Sequence, residues 1–296
     1  KRNGGGMIKL KDLLFENEAP NIFIPRRIED RQTKYNNITQ KEVNTIIDDF
    51  IDKRYNMSLN LIPKEMDDNG YEYGTMQHDG EFVIPDKLKS TPSNLVLDNS
   101  RVTKLPDNLT IGTNDVFATL SVTGCPKLHQ LPRGLKVTVI DCQASGIRVI
   151  PNDIKCDRIN LDSAAYITEL PLFKNYIETI NLTSAVKFKT LPAKFTCGTL
   201  FITNTLVEHI PNNVIIKHLR AYRCKHLISI GNNCEIDYLS ITNSTIETIP
   251  TDIKCKTYMD IKHTPFLYNF LKKYKSPEKV MEELKRLYPY VNEFGI

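Results

Sequence analysis

A leucine or isoleucine followed by proline returns along this chain at nearly constant intervals. The pairs are Ile84-Pro85, Leu105-Pro106, Leu131-Pro132, Ile150-Pro151, Leu170-Pro171, Leu191-Pro192, Ile210-Pro211 and Ile249-Pro250, and Ile230-Gly231 keeps the same phase. Successive intervals are 21, 26, 19, 20, 21, 19, 20 and 19 residues. A fixed period of this length is the signature of a solenoid, in which one structural unit stacks on the next. No single unit of that size can bury its own apolar side chains, so the stack as a whole must supply the core.

Within each unit the apolar residues fall at set positions. Nine to twelve residues before the proline stands an alternating pair: Leu95/Leu97, Leu120/Val122, Ile140/Cys142, Ile159/Leu161, Ile180/Leu182, Leu200/Ile202 and Leu239/Ile241. Alternation with period two marks a short strand with one face buried. A third anchor precedes the proline by four residues: Val102, Leu128, Ile147, Ile167, Phe188, Val207, Leu227 and Ile246. Asn99, Asn204 and Asn243 follow the second strand anchor by two residues, and their amides are expected to bond inward to backbone groups left over at the turn. Ser163, Ser184 and Cys125 or Cys224 are read as occupying the same corner elsewhere. About eight residues separate the proline from the next strand, which is too short for a long helix and predicts an irregular outer segment.

This order of anchors resembles the leucine-rich repeat. The resemblance implies a β-rich (α+β) solenoid, a horseshoe with a parallel concave sheet, an irregular convex side and helical caps at both ends. About nine repeats are expected over residues 81–270, between an N-terminal segment (7–80) and a C-terminal helical cap (271–296). Residues 1–6, Lys-Arg-Asn-Gly-Gly-Gly, read as a tag or linker, with Met7 as the native start. Thr39-x-x-Glu42 forms a capping box ahead of Val43, Ile46, Ile47, Phe50 and Ile51, and so predicts an amphipathic capping helix over 39–54. Residues 66–80, with Gly70, Gly74 and Gly80, read as a loop or hairpin. At the other end a short helix is expected over 266–274. A second follows, with Ser276 as N-cap, Pro277 at its first position, and Val280, Met281, Leu284 and Leu287 on one face.

Composition sets limits on partners. A formal charge of +4 is too small to argue for nucleic acid or a membrane surface. No window approaches 18 uninterrupted apolar residues, and no apolar signal-peptide core opens the chain. The seven cysteines are spaced by 17, 14, 41, 27, 10 and 21 residues, without the C-x-x-C pairs of a zinc or redox site. They read as reduced thiols used as small buried hydrophobes, as suits a cytosolic compartment. Cys142 is a strand anchor, and Cys156, Cys197 and Cys255 each come five residues after a repeat proline or its phase equivalent.

The repeat form of Leu239-Ser-Ile-Thr-Asn-Ser-Thr-Ile-Glu-Thr-Ile-Pro250 looks like that of repeat proteins encoded by tailed bacteriophages. Members of that group carry an N-terminal proline-arginine-arginine segment, which Pro25-Arg26-Arg27 matches. The chain is similar, more distantly, to the short repeats of secreted bacterial effectors. The phage resemblance implies no particular activity. Arg26, Arg27 and Arg31 are candidate contacts to an anionic partner. Met7 to Glu16 also looks like the targeting peptides of proteins packaged in large phage heads, with Glu16 of Leu14-Phe15-Glu16 as a candidate processing site. The resemblance places the protein in the host cytoplasm or the virion.

No nucleophile, metal or nucleotide signature is present, and the chain is expected not to be an enzyme. No cofactor, metal or small-molecule substrate is expected. His218 and His226 lie near Cys224 in sequence, but the repeat phase sends His218 to the sheet surface and Cys224 into the corner. Residues flanking the strand anchors should point outward. The first half of that surface is small and polar, including Thr119, Ser121, Asp141, Asn160, Thr179 and Asn181. The second half gathers Phe201, His218, Arg220, Tyr222, Tyr238, Tyr258, Asp260 and Lys262. Aromatic residues with arginine dominate interface energetics, so this half is the expected protein-binding surface. The expected role is protein–protein interaction with a host or phage protein through the concave face; a structural or head-packaged virion component is the alternative.

Overall fold

The computed structural model describes residues 81–296, apart from 85, 87, 92–93 and 113–117, together with the backbone of residues 65–66 and 72–73. The expected capping helix over 39–54, the arginines at 26, 27 and 31, and the candidate processing site at Glu16 lie outside the described residues. So does the Met7–Glu16 segment. At the start of the expected 66–80 loop or hairpin, Glu65–Met66 pairs antiparallel with Glu72–Tyr73.

The described chain winds into a β-rich solenoid of about eight turns with two helices. Ten strands form one sheet in chain order: β1 (Leu95–Val96), β2 (Thr119–Ser121), β3 (Val139–Asp141), β4 (Arg158–Asn160), β5 (Thr179–Asn181), β6 (Thr196–Phe201), β7 (Ile215–Arg220), β8 (Glu235–Ser240), β9 (Tyr258–Asp260) and β10 (Glu293–Gly295). Every pairing is parallel. The first strand anchors align across them: Leu95, Leu120, Ile140, Ile159, Ile180, Leu200, Leu219, Leu239, Met259 and Phe294. The one long sequence interval falls between β1 and β2.

The core is a set of columns running along the solenoid. Both strand anchors, the third anchor and the residue before the proline are buried in every turn named above. Two further inward columns follow the proline, of which the sequence marked only Cys156, Cys197 and Cys255. Three residues on stand Leu109, Leu135, Ile154, Phe195, Val214, Cys234 and Ile253; five residues on stand Ile111, Val137, Cys156, Cys197, Ile216, Ile236 and Cys255. The outer side is therefore more regular than an irregular segment. Short parallel pairings run just ahead of the main strands, such as Ser90–Thr91 with Thr110–Ile111 and Lys136 with Lys155. Others run ahead of the proline, such as His209–Ile210 with Ser229–Ile230 and Gln130 with Val149. Stacking forces this: once turns repeat at one rise, outer backbone groups meet their counterparts in the next turn and bond to them.

Each turn reverses at a residue with left-handed backbone, two places after the second strand anchor. These are Asn99, Gly124, Ala144, Ser163, Ser184, Asn204, Arg223, Asn243 and His263, with φ between 50° and 65°. This corrects the inward-bonding role expected for the asparagines. Asn99, Asn204 and Asn243 are exposed, and asparagine suits the site because it tolerates this conformation better than most residues. It is the backbone N–H that bonds onward, as from Asn99 to the Thr123 carbonyl at 2.7 Å and from Asn204 to the Tyr222 carbonyl at 3.1 Å. The inward corner lies one residue later, in a column of small side chains: Ser100, Cys125, Ser145, Ala164, Ala185, Thr205, Cys224, Ser244 and Thr264. Cys125 and Cys224 belong to this column, not to the asparagine one. Their thiols donate to the Leu97 and Ile202 carbonyls, each at 2.9 Å.

Two helices close the C-terminal end. Helix α1 (Pro265–Tyr274) starts at Thr264, whose hydroxyl accepts from the Leu267 N–H and donates to the Ile261 carbonyl. Helix α2 (Pro277–Leu287) starts at Ser276 with Pro277 in its first turn and buries Val280 and Leu284. Met281 and Leu287 pack partly buried against the core. The chain then returns to add β10 to the open edge of β9, a strand the sequence reading took as part of the helical cap.

Candidate interaction surface

The outer face of the ten-stranded sheet is built from three columns of side chains. The first runs Asn94, Thr119, Val139, Arg158, Thr179, Thr199, His218, Tyr238, Tyr258, Glu293; the second runs Val96, Ser121, Asp141, Asn160, Asn181, Phe201, Arg220, Ser240, Asp260, Gly295. The third lies two residues beyond the second and includes Asp98, Thr123, Gln143, Asp162, Thr183, Thr203, Tyr222, Thr242 and Lys262. Rigid parallel backbones hold neighbouring rows ~4.8 Å apart, so adjacent side chains in a column must touch.

In the first half those contacts are polar. The Asn181 Nδ2 donates to Asn160 Oδ1, and Asn160 Nδ2 to Asp141 Oδ1, both at 3.1 Å. Each of these side chains also accepts, through Oδ1, the N–H two residues on: Gln143 for Asp141, Asp162 for Asn160 and Thr183 for Asn181. Asp98 accepts from the Ser121 hydroxyl and the Thr123 N–H. Burial holds the Asp98 and Asp141 carboxyls above the usual carboxylate range, and the charge of Asp141 adds to the rise at Asp98. This half is a hydrogen-bonded polar ladder with an acidic cast.

In the second half the contacts are aromatic. His218 meets Tyr238 edge-on with ring centroids 5.8 Å apart, and Tyr238 stacks on Tyr258 at 5.2 Å. The Arg220 guanidinium lies 5.6 Å from the Phe201 ring centroid and 5.5 Å from that of Tyr238. Such contacts fix a side chain that is otherwise free to swing. His218 and Arg220 are exposed, while Tyr222, Tyr238, Tyr258, Asp260 and Lys262 are half-buried.

Phe201 departs from the expected exposure. Only 6% of its surface is open, because it sits in the second column between Asn181 and Arg220 with the guanidinium over its ring. It supports Arg220 and offers no contact area of its own. Arg223 was missed: it follows Tyr222 at the left-handed corner, and its guanidinium lies 4.9 Å from the Tyr222 ring centroid. Strict alternation skips a corner residue, so no strand pattern points to it. Asp98 was missed as well, although it stands one place after the anchor Leu97, in phase with Thr123.

Gly295 shapes the end of the surface. A Cβ there would lie 2.5 Å from Tyr258 Oη and 2.7 Å from Asp260 Oδ1, so glycine lets Tyr258 lean over the last strand. His218 and Cys224 are on opposite sides of the backbone, the first exposed on the sheet and the second fully buried. All seven thiols are buried. Burial pushes Cys156 and Cys255 up to about 12 and Cys142 well above its ordinary value, which disfavours the reactive thiolate.

Comparison with protein-family models, with curated proteins and with solved structures finds no match.

Proposed function

We propose that the protein is a phage-encoded interaction module of the leucine-rich-repeat kind, a horseshoe that binds a host or viral protein through the outer face of its sheet. The observation that carries this reading is the stacked set His218, Tyr238 and Tyr258 with Arg220 braced beside it. Pre-positioned aromatic and arginine side chains lose little conformational freedom on binding, so most of their contact energy appears as affinity. The fixed backbone of a solenoid adds to that advantage. The anchor order supports the repeat type, and the Pro25-Arg26-Arg27 resemblance supports the phage source. The host cytoplasm or the virion is the compartment this implies.

The test is capture of partner from infected cells by the whole chain. Replacing both Tyr222 and Tyr238 with alanine is expected to reduce capture at least tenfold, since interface tyrosines each contribute on the order of 1–2 kcal/mol. The melting temperature should fall by no more than a few degrees, because both side chains are half-buried on the sheet face and outside the core. Undiminished capture by a folded double variant would remove this face from consideration.

A further inference from the structure

The two halves of the sheet face carry opposite charge and opposite relief. Asp98 and Asp141 stand in the low polar half, the first two residues past β1 and the second on β3; Arg220 and Lys262 stand in the tall aromatic half, the first on β7 and the second two residues past β9. Among the described residues none of these four is in an ion pair. Burial already penalises both carboxylates, with no cation to offset it.

A two-fold axis parallel to the strands and passing through β5 exchanges β1 with β9, β2 with β8, β3 with β7 and β4 with β6, and keeps each column on itself. Under that one operation Asp98 faces Lys262 in the third column, and Asp141 faces Arg220 in the second. In the first column, Tyr258 falls over Asn94, Tyr238 over Thr119 and His218 over Val139. In the third, Tyr222 falls over Gln143. Tall side chains thus meet short ones throughout. The other charges of these columns on β1 to β9 meet neutral groups: Arg158 faces Thr199, Asp162 faces Thr203 and Asp260 faces Val96; Glu293, on β10, falls beyond the paired strands. Glu178, next to the axis, is already covered by Lys217 at 3.7 Å. In the row of β5 only Thr179, Asn181 and, two residues past the strand, Thr183 meet their own copies.

We propose that the sheet face is self-complementary and pairs with a second copy of this chain in a two-fold, face-to-face dimer. The proposal rests on the reading of this face as a binding surface and names its partner. Nine strands spaced ~4.8 Å apart and about five residues wide present roughly 600 Å² per copy, or about 1,200 Å² in all. That is the lower edge of a stable interface, so the dimer forms at micromolar concentration and dissociates as salt rises. Sheets pack face to face with their strands nearly aligned, and such a contact is closed by its own symmetry.

Sedimentation of the whole chain at increasing concentration measures the dimer directly. The expected result is a monomer–dimer equilibrium weakened at least tenfold between 50 and 500 mM salt. Arg220→Glu and Asp141→Arg should each weaken it at least tenfold, and an equimolar mixture of the two should restore it as a heterodimer with both contacts satisfied. Thr183→Cys provides a second readout that leaves every charge in place. A residue beside the axis meets its own copy, so mild oxidation with diamide should yield a covalent dimer, while Thr196→Cys, off the three columns, should not. The native thiols are all buried and do not compete. A monomer at every concentration, or no heterodimer from the mixed variants together with no cross-link at position 183, overturns the proposal. Loss of partner capture by the Tyr222/Tyr238 variant in a protein that stays monomeric would leave the binding face standing and remove only the second copy.

Discussion

At the scale of single residues, identity follows from where the repeat puts each position. A left-handed corner accepts Asn, Gly, Ser, Arg, His and even Ala144 because stacking fixes its backbone, and the side chain is then free to vary on the surface. One place later the side chain points inward into a narrow column, and only Ser, Cys, Ala and Thr are found there. The cysteines illustrate the rule, since each fills an inward position that another small or aliphatic residue fills in a neighbouring turn. With every thiol buried and its thiolate disfavoured, Ellman's reagent should label none of the seven within minutes in the native protein. All seven should react in guanidinium. Prompt reaction of even one native thiol would contradict the columns. The carboxylates of the sheet face give a pH prediction. Asp98 and Asp141 are raised in the folded protein by burial, so between the folded and unfolded values the folded form binds more protons. Their penalty is therefore full at neutral pH, and stability rises as pH falls through the raised folded value. Half-buried Glu283, held down to about 2 by Arg286, acts with the opposite sign: its contribution is present above the ordinary carboxylate value and is lost only as pH falls toward 2. Asp141→Asn keeps the acceptor oxygen and removes the charge. It should raise the melting temperature by about 1–3 °C at pH 7 and by less at pH 4; a decrease at pH 7 would count against the burial argument.

At the scale of elements, the strands are too short to be stable alone and exist because each is sandwiched between like neighbours. The two ends of such a stack are its weak points, since an end turn has a neighbour on one side only. At the C-terminal end α1 and α2 cover the last turns, and β10 satisfies the edge of β9. The helices are tied down by Tyr288, which is buried, packs against the Phe266 ring and donates its hydroxyl to the Ile249 carbonyl at 2.8 Å. Tyr288→Phe keeps the ring and strands that carbonyl without its donor. It should cost about 1–2 kcal/mol, read by chemical denaturation, and should raise hydrogen exchange in 276–296 more than in the central strands. Uniform loss of protection along the chain would mean that the cap and the stack unfold as one unit. The start of α2 was legible because Ser276-Pro277 is a local signal of a cap followed by a first turn, whereas α1 was expected only over 266–274 and its cap, Thr264 before Pro265, was not read. Strand β10 was not, because nothing within Glu293–Gly295 distinguishes an added strand from a tail.

At the scale of the molecule, the core is one continuous set of columns, and a defect in a central turn is felt on both sides. Phe188 and Phe195 are among the largest side chains fully buried in it. Phe188→Ala should destabilise the protein by about 3–5 kcal/mol, measured as a shift of the denaturation midpoint. A change under 1 kcal/mol would mean that neighbouring turns close the cavity. The period, the strand anchors, the third anchor and the start of α2 follow from the sequence alone, since burial of one face imposes a spacing that residue types record directly. Of the two columns after the proline, the sequence marked only Cys156, Cys197 and Cys255; the rest were missed because the columns mix Leu, Ile, Val, Phe and Cys beside polar residues, and in five turns a second left-handed corner at Asn108, Gly134, Lys194, Asn213 and Asn233 precedes them. The candidate surface was legible as a list of outward residues and no further. Alternation assigns Phe201 and Arg220 to the same face. It does not say that one lies beneath the other, that Arg223 joins them from the corner, or that Asp98 and Asp141 stand where a two-fold operation finds Lys262 and Arg220. Those relations run between turns some twenty to more than a hundred residues apart in sequence. Only stacking, which converts the repeat interval into a fixed distance between strands, brings them onto one surface.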